Sequence, residues 1–282
     1  MKLFYTKSAE HLAKKIKLKK GKYIISSFPD GELYVKINEN VKNKRVLVLA
    51  ATNPPAENLL ELLFLLDALQ GAGARIYLFF TYFGYARQDR AKAGEALASQ
   101  RICSWLKGFK WQNIAVLHPH SERLKQFLKY KEILPYHFFT SVINREDVVV
   151  APDKGASSLA KEISKRCRCA RAEIEKVRLK GKVKMLSFHG EVNGKRAVIV
   201  DDMISTGNTV IKAAELLKRK GAKEVVVAAT HGIFADKALQ KLEKSPITSI
   251  YVTNSLPQKT RSRKVEIMDL APFLEKHIKE WS

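Results

Sequence analysis

Two stretches of this chain, residues 45–83 and 196–234, follow one plan, and the repetition limits what the whole can fold into. Arg45-Val-Leu-Val-Leu-Ala precedes a helical pattern over Leu59–Ala72, then Gly73-Ala74-Arg75 and an apolar run Ile76–Thr81. Arg196-Ala-Val-Ile-Val-Asp precedes a helical pattern over Thr209–Lys220, then Gly221-Ala222-Lys223 and a run Glu224–Thr230. Each reads as strand, crossover helix, glycine just past the helix end, strand. Unbroken aliphatic runs, rather than alternation, place such strands inside a parallel sheet covered on both faces. A right-handed βαβ unit met twice predicts two similar α/β domains, 1–142 and 143–282, with the boundary near residues 140–147.

The copies differ where chemistry would sit. In the second, the strand runs into Asp201-Asp202-Met203-Ile204-Ser205-Thr206-Gly207-Asn208-Thr209, after which Val210, Ile211, Ala214 and Leu217 mark one apolar helix face. A small-residue turn between strand and helix gathers free N–H groups and the positive end of the helix dipole, which suits an anion. Ser205, Thr206 and Thr209 add hydroxyls. Two carboxylates would repel a bare phosphate, so the ligand must also offer hydroxyls for them to accept. A sugar phosphate meets both demands, whereas a lone capping Ser or Thr accounts for one residue of the run. The first copy has Ala51-Thr52-Asn53-Pro54-Pro55 at this place, with no acid and two residues lacking N–H donors. One domain is expected to hold the sugar phosphate, and the other to do something else.

Five further segments stand out. Lys22–Ile37 reads as a hairpin turning at Phe28-Pro29-Asp30-Gly31, ordinary turn chemistry by itself. Tyr82-Phe83-Gly84-Tyr85-Ala86-Arg87-Gln88-Asp89-Arg90 follows a strand's carboxyl end, where open α/β sheets bind ligands. Leu117-His118-Pro119-His120-Ser121-Glu122 offers two imidazoles but no third soft ligand nearby, and so does not read as a zinc site. Ala151-Pro152-Asp153-Lys154-Gly155-Ala156 is a second strand-turn-helix sequence, apt for a pyrophosphate or its magnesium, or for a plain Asp cap. Glu175-Lys176-Val177-Arg178 then opens a basic segment running to Lys184, a solvated face in most proteins but here a candidate lid bringing cations to a phosphoryl group.

Composition narrows the partners. A net charge of +23, from 51 Lys and Arg against 28 Asp and Glu, suits nucleic acid, a membrane surface or polyanionic ligands. Much of it lies in runs such as 14–20 and 259–264 that read as solvated surface. Three cysteines make no disulfide framework, so reduced thiols in a cytoplasmic protein are expected. The most apolar stretch, Asn58 to Ala86, carries Glu61 and Asp67, so no bilayer span is expected, and Met1-Lys2-Leu3-Phe4 does not open a signal peptide. No Walker A pattern occurs.

The 201–209 loop resembles the phosphoribosyl-pyrophosphate loop of type I phosphoribosyltransferases, with Asn208 in place of a second glycine; Asn tolerates positive φ. The ordered set is more specific. Phe28-Pro-Asp-Gly-Glu32, Tyr82–Arg90, Pro119-His120, Ala151–Ala156, Glu175-Lys-Val-Arg178, the Asp201-Asp202 loop and Thr230-His231-Gly232-Ile233-Phe234 together resemble the ribose-phosphate pyrophosphokinase family, its archaeal more than its bacterial form. The match spans roughly residues 22–270. The resemblance implies two tandem type I phosphoribosyltransferase-like domains, each a mainly parallel sheet flanked by helices. It implies that Phe28, Asp30, Gly31 and Glu32 contact ATP bound mainly by a neighbouring subunit of a homo-oligomer, dimer or higher, and that Arg87, Gln88 and His120 bind the same nucleotide. His120 and Asp153 would help to hold Mg²⁺. Lys176 would be catalytic, with Arg178 beside it reaching the sugar phosphate, and Asp201, Asp202, Ser205, Thr206, Gly207, Asn208 and Thr209 would hold ribose 5-phosphate. His118 stands where bacterial members carry Asp, and the segment after Arg178 lacks their Ser-Pro-Thr-Glu.

The implied reaction moves the pyrophosphoryl group of ATP to ribose 5-phosphate, with neither a membrane nor a specific nucleic acid as partner. Three other readings stay open on sequence. A phosphoribosyltransferase consuming phosphoribosyl pyrophosphate shares the loop but needs neither the duplication nor the hairpin. A catalytically silent regulator would keep the fold, although Lys176 and Arg178 are intact. An RNA-binding protein is suggested by charge alone, without a stacking platform or known module.

Overall fold

The computed structural model describes the backbone of residues 1–179, 182–260 and 262–281, and their side chains outside residues 176–186. The chain forms two compact units, the first made of Met1–Leu134, Ser255–Pro257 and Leu270–Ser282, the second of Pro135–Asn254 and Gln258–Asp269.

In the first unit the elements are β1 (Lys2–Tyr5), α1 (Glu10–Ala13), β2 (Tyr23–Ser27), β3 (Leu33–Ile37), β4 (Arg45–Ala51), α2 (Glu57–Gly71), β5 (Arg75–Tyr82), α3 (Ala98–Leu106), β6 (Asn113–Leu117), α4 (Leu124–Phe127) and β7 (Lys131–Ile133). A five-stranded sheet runs in the order β1-β4-β5-β6-β7, parallel throughout. Alternating side chains of β4 serve two cores, as the period of a strand demands. Val46, Val48 and Ala50 meet Leu59, Leu62, Leu65, Leu66 and Leu69 of α2, a helical stripe. Leu47 and Leu49 face the opposite side with Leu12 and Ile16. Among the described residues, strands β2 and β3 pair only with each other, as the expected hairpin.

The second unit continues with α5 (Tyr136–Thr140), β8 (Val148–Ala151), α6 (Ser157–Cys167), β9 (Ala170–Leu179), β10 (Lys182–His189), β11 (Arg196–Ile204), α7 (Asn208–Arg219), β12 (Glu224–Gly232), α8 (Ala238–Glu243), β13 (Ser249–Thr253) and β14 (Val265–Met268). Its seven-stranded sheet runs β10-β9-β8-β11-β12-β13-β14, parallel except for the antiparallel β9–β10 pair. The duplication reaches into the turns. Gly73 and Gly221 hold φ of +74° and +85°. The N–H of the next residue bonds five residues back in both, Ala74 to Leu69 O at 3.0 Å and Ala222 to Leu217 O at 3.0 Å. Left-handed backbone of this kind is free of penalty for glycine alone.

One expectation fails here. The last helix, α9 (Ala271–Lys279), was assigned with 143–282 to the second domain, yet it lies in the first unit. Leu270, Ala271, Leu274, Ile278 and Trp281 fill the same core as Leu3, Leu12, Leu47 and Phe79. The α9 stripe covers the sheet face that α2 leaves open, so burial overrides chain order. The first unit also ends at Leu134 rather than at 142, because Phe138, Phe139 and Ile143 pack with Val149 and Val198. Ile278→Val should therefore lower stability by about 1 kcal/mol in urea unfolding; no change would remove α9 from that core.

Among the described residues, no helix is long and apolar enough to cross a membrane. Cys103, Cys167 and Cys169 are free thiols, and burial pushes Cys103 and Cys169 up to about 11.

Candidate functional site

The second unit brings its two strand-turn-helix loops together because β8 and β11 are adjacent parallel strands, Val148 opposite Ala197. After β8, Asp153 accepts the N–H of Gly155 at 3.0 Å and so caps the short turn that leads into α6. This is the plain capping role, and it fixes where the carboxylate stands. Strand β11 runs further than the apolar run suggested. The ladder with β12 continues through Met203↔His231 and Ile204↔Gly232, so Asp201 and Asp202 are strand residues, each half-buried. The backbone N–H of Asp202 donates to Asp201 Oδ1 at 2.9 Å.

Burial pushes the Asp201 carboxyl well above the ordinary carboxylate range, and the charge of Asp202, a hydrogen bond between the two carboxyl groups and the charge of Asp153 push the same way. That carboxyl–carboxyl bond needs a shared proton. Three acids thus converge towards the carboxyl ends of the adjacent central strands β8 and β11. A polyol or a cation relieves such crowding. Bare phosphate increases it.

An uncapped helix start follows the acids. Helix α7 begins at Asn208, with no acidic residue in its first turn and no side-chain cap at Gly207. Its free N–H groups are flanked by the half-buried hydroxyl residues Ser205, Thr206 and Thr209. The positive φ expected at Asn208 falls instead on Gly207, at +78°, because Asn208 is already helical. A Cβ at Gly207 would meet Leu242 at 3.3 Å. Gly207→Ala should therefore lower stability by roughly 1–2 kcal/mol and distort the turn; an unchanged melting temperature would contradict the strained turn. The first unit offers no counterpart, since α2 carries Glu57 in its first turn.

Lys176 and Arg178 lie on β9, opposite Leu186 and Val183 of β10. The expected lid is therefore a two-stranded extension of the sheet. Lys180 and Gly181 fall outside the described residues, as do the side chains of Lys176 and Arg178.

In the first unit the hairpin closes with the N–H of Phe28 on Glu32 O at 2.8 Å and that of Gly31 on Phe28 O at 2.9 Å. The N–H of Glu32 donates to Asp30 Oδ1 at 3.1 Å. Phe28 is 50% exposed and meets Tyr34 edge-on, 5.5 Å between ring centroids, leaving a planar apolar face open. Arg87 and Gln88 are exposed on the loop after β5, and His120 is exposed on the loop after β6. One residue that the sequence reading left without a role joins those loops. Asp89, buried, receives Arg90 Nε at 3.0 Å and Ser121 Oγ at 2.6 Å. The Arg90 hydrogen bond holds the Asp89 carboxyl below its ordinary range, and Ser121 adds to this. An acid between two cationic residues in a post-strand turn was the available signal.

His120 lies in the first unit and Asp153 in the second. Among the described residues, no group of three or more His, Cys, Asp or Glu side chains is arranged to hold a metal ion.

Fold and loops define the class: a duplicated α/β protein of the type I phosphoribosyltransferase kind. Residues 1–108 match the model of the N-terminal domain of ribose phosphate pyrophosphokinase, and residues 144–281 that of the phosphoribosyl synthetase-associated domain. The ribose-phosphate pyrophosphokinase of Fusobacterium nucleatum is 35% identical over 93% of this chain and 87% of its own length. That of Mycoplasma genitalium is 36% identical over 94% and 85%. The crystal structure of phosphoribosylpyrophosphate synthetase from Mycobacterium smegmatis superposes with a TM-score of 0.89 at 29% identity, covering 99% of this chain and 97% of that one. The chain belongs to the ribose-phosphate pyrophosphokinase family of transferases.

Proposed function

We propose that this enzyme transfers the β,γ-pyrophosphoryl group of ATP to O1 of ribose 5-phosphate, giving 5-phosphoribose 1-diphosphate and AMP, with Mg²⁺ as cofactor. The observation that carries this reading is the pairing of crowded acids with an uncapped helix start in one unit. Asp201 and Asp202 accept the ribose hydroxyls, while the N–H groups of α7 and the hydroxyls of Ser205, Thr206 and Thr209 take the 5-phosphate. Gly207 and Asn208 supply the turn that aims those groups.

Phe28, Asp30, Gly31 and Glu32 bind the adenine of ATP across a subunit boundary in a homo-oligomer, and Arg87, Gln88 and His120 hold the rest of the nucleotide. An exposed ring beside exposed polar groups on a rigid hairpin supports that assignment. Lys176 and Arg178 neutralise charge as the anomeric oxygen attacks the β-phosphorus and AMP departs, and Arg178 also steadies the sugar phosphate. Such a reaction rests on positioning and on fixed charges rather than on covalent help from the protein. His120 and Asp153 would hold Mg²⁺, which supplies positive charge to the phosphate oxygens. No general base is assigned.

The test is AMP release from ATP with and without ribose 5-phosphate. Sugar-dependent AMP supports the reading. Nucleobase-dependent consumption of phosphoribosyl pyrophosphate, without AMP formation from ATP, would replace it with a phosphoribosyltransferase.

A further inference from the structure

Asp89 is a buried acid in a loop whose neighbouring side chains, Arg87, Gln88 and Arg90, are exposed. The loop follows β5, and the loop carrying His120 follows β6, the adjacent parallel strand. The ladder between those strands ends at Phe80↔Val116, short of both loops. Beyond it, the Asp89 carboxylate accepts the hydroxyl of Ser121, the residue after His120, at 2.6 Å. A carboxylate can only accept, so the serine proton is committed to it, and charge makes such a bond strong. The same Ser121 oxygen accepts the N–H of Arg123 at 3.2 Å, which fixes the hydroxyl from its other side.

The rest of the loop is pinned as well. The N–H of Gly84 donates to Thr52 Oγ1 at 2.8 Å, and a Cβ on Gly84 would run into the Thr52 carbonyl. The carbonyl of Gln88 accepts Ser99 Oγ at 2.8 Å and the N–H of Ser99 at 3.3 Å. The backbone is thus held on both sides of Arg87, while the Arg87 and Gln88 side chains face outward.

Helix α3 starts only at Ala98, so Asp89 is not its cap. Its ion pair with Arg90, whose side chain is 73% exposed, returns little stability for the cost of burying a carboxylate. The gain lies in where the bond to Ser121 holds the two loops. We propose that Asp89 is a positioning residue for the nucleotide, its carboxylate holding Arg87 and Gln88 in fixed relation to His120 before ATP arrives, an assignment that rests on the nucleotide reading of these loops. Loops ordered in advance spare the complex the entropy of ordering them, which shows as affinity rather than as turnover of the bound state.

The test is AMP release with ATP and ribose 5-phosphate each varied in the presence of Mg²⁺, for wild type, Asp89→Ala, Ser121→Ala, the double variant and Ser121→Thr. Each single alanine variant should raise the KM for ATP at least fivefold, with kcat within threefold and the KM for ribose 5-phosphate within twofold. The Kd for ATP, measured calorimetrically without sugar, should rise in step. The double variant should be no worse than Asp89→Ala, because both remove one bond. Ser121→Thr keeps the hydroxyl and should return the KM to within twofold of wild type. Ser121 is only half-buried, so Ser121→Ala gives the answer even where Asp89→Ala fails to fold. A lower melting temperature with the KM for ATP unchanged in the single variants would make the bond purely structural and overturn the proposal. So would effects that multiply in the double variant, or a Ser121→Thr as impaired as Ser121→Ala. A wild type that makes no sugar-dependent AMP would overturn the proposed reaction and this role with it, whereas normal wild-type turnover alongside any of the preceding results overturns the positioning role alone.

Discussion

Lys176→Ala should lower kcat by at least about 10²-fold while leaving the Kd for ribose 5-phosphate within about twofold of wild type. The proposal gives Lys176 no contact with the sugar in the ground state; its charge acts as the bridge between β- and α-phosphates breaks. Removing one fixed positive group aimed at developing charge costs ~3 kcal/mol or more in barrier height, which is that factor in rate. The backbone places the residue on β9, paired with β10 and two strands from β11, so its loss leaves the 201–209 loop in place. Stopped or single-turnover kinetics, with sugar binding measured separately, divide the two effects. A variant that turns over at the wild-type rate would remove Lys176 from the chemistry. One that loses sugar binding and rate together would make it a binding residue instead.

Asp201→Asn should do two opposite things. In the folded enzyme the Asp201 carboxyl is raised above its ordinary range, by burial first and then by the Asp202 charge. A carboxyl raised by folding keeps its proton longer in the native state than in the unfolded chain. Stability therefore falls as pH climbs from the ordinary carboxylate range through the raised value. The amide removes that penalty, so the variant should melt above wild type at neutral pH, and the gap should close towards pH 3, where both chains are protonated. Each kcal/mol relieved is worth about 2–4 °C for units of this size. Ribose binding should move the other way. Loss of a charge-assisted hydrogen bond to a hydroxyl costs roughly 1.5–3 kcal/mol, so affinity for ribose 5-phosphate should fall about 10- to 100-fold. A variant less stable than wild type at pH 7, with sugar affinity retained, would contradict both the crowding of the acids and their role.

The repeat was legible because it is written in local signals, a β-branched run, a helical stripe and a glycine at the helix end, and these agree with the burial that followed. The two strand-turn-helix loops were legible for the same reason. What escaped depended on contacts far apart in the chain. The apolar face of α9 is plain in Leu270, Leu274 and Ile278, but nothing near them says that their partners are Leu3 and Leu47. Asp201 and Asp202 read as residues beyond a strand, since acids are poor strand formers; the ladder to β12 holds them in it. Likewise, Val177 and Leu179 lie among charges in a run that reads as a solvated face or a lid, whereas pairing with β10 makes it a strand. Which of Gly207 and Asn208 turns left-handed depended on where α7 starts, the least certain feature of any sequence reading.

The most direct test of the account is ³¹P NMR of the full-length enzyme with ATP, ribose 5-phosphate and Mg²⁺. The account predicts sugar-dependent loss of the ATP β-resonance, with AMP and a new anomeric diphosphate appearing in equal amounts. ADP together with a sugar bisphosphate would mean that a single phosphoryl group moves, and would contradict the central claim.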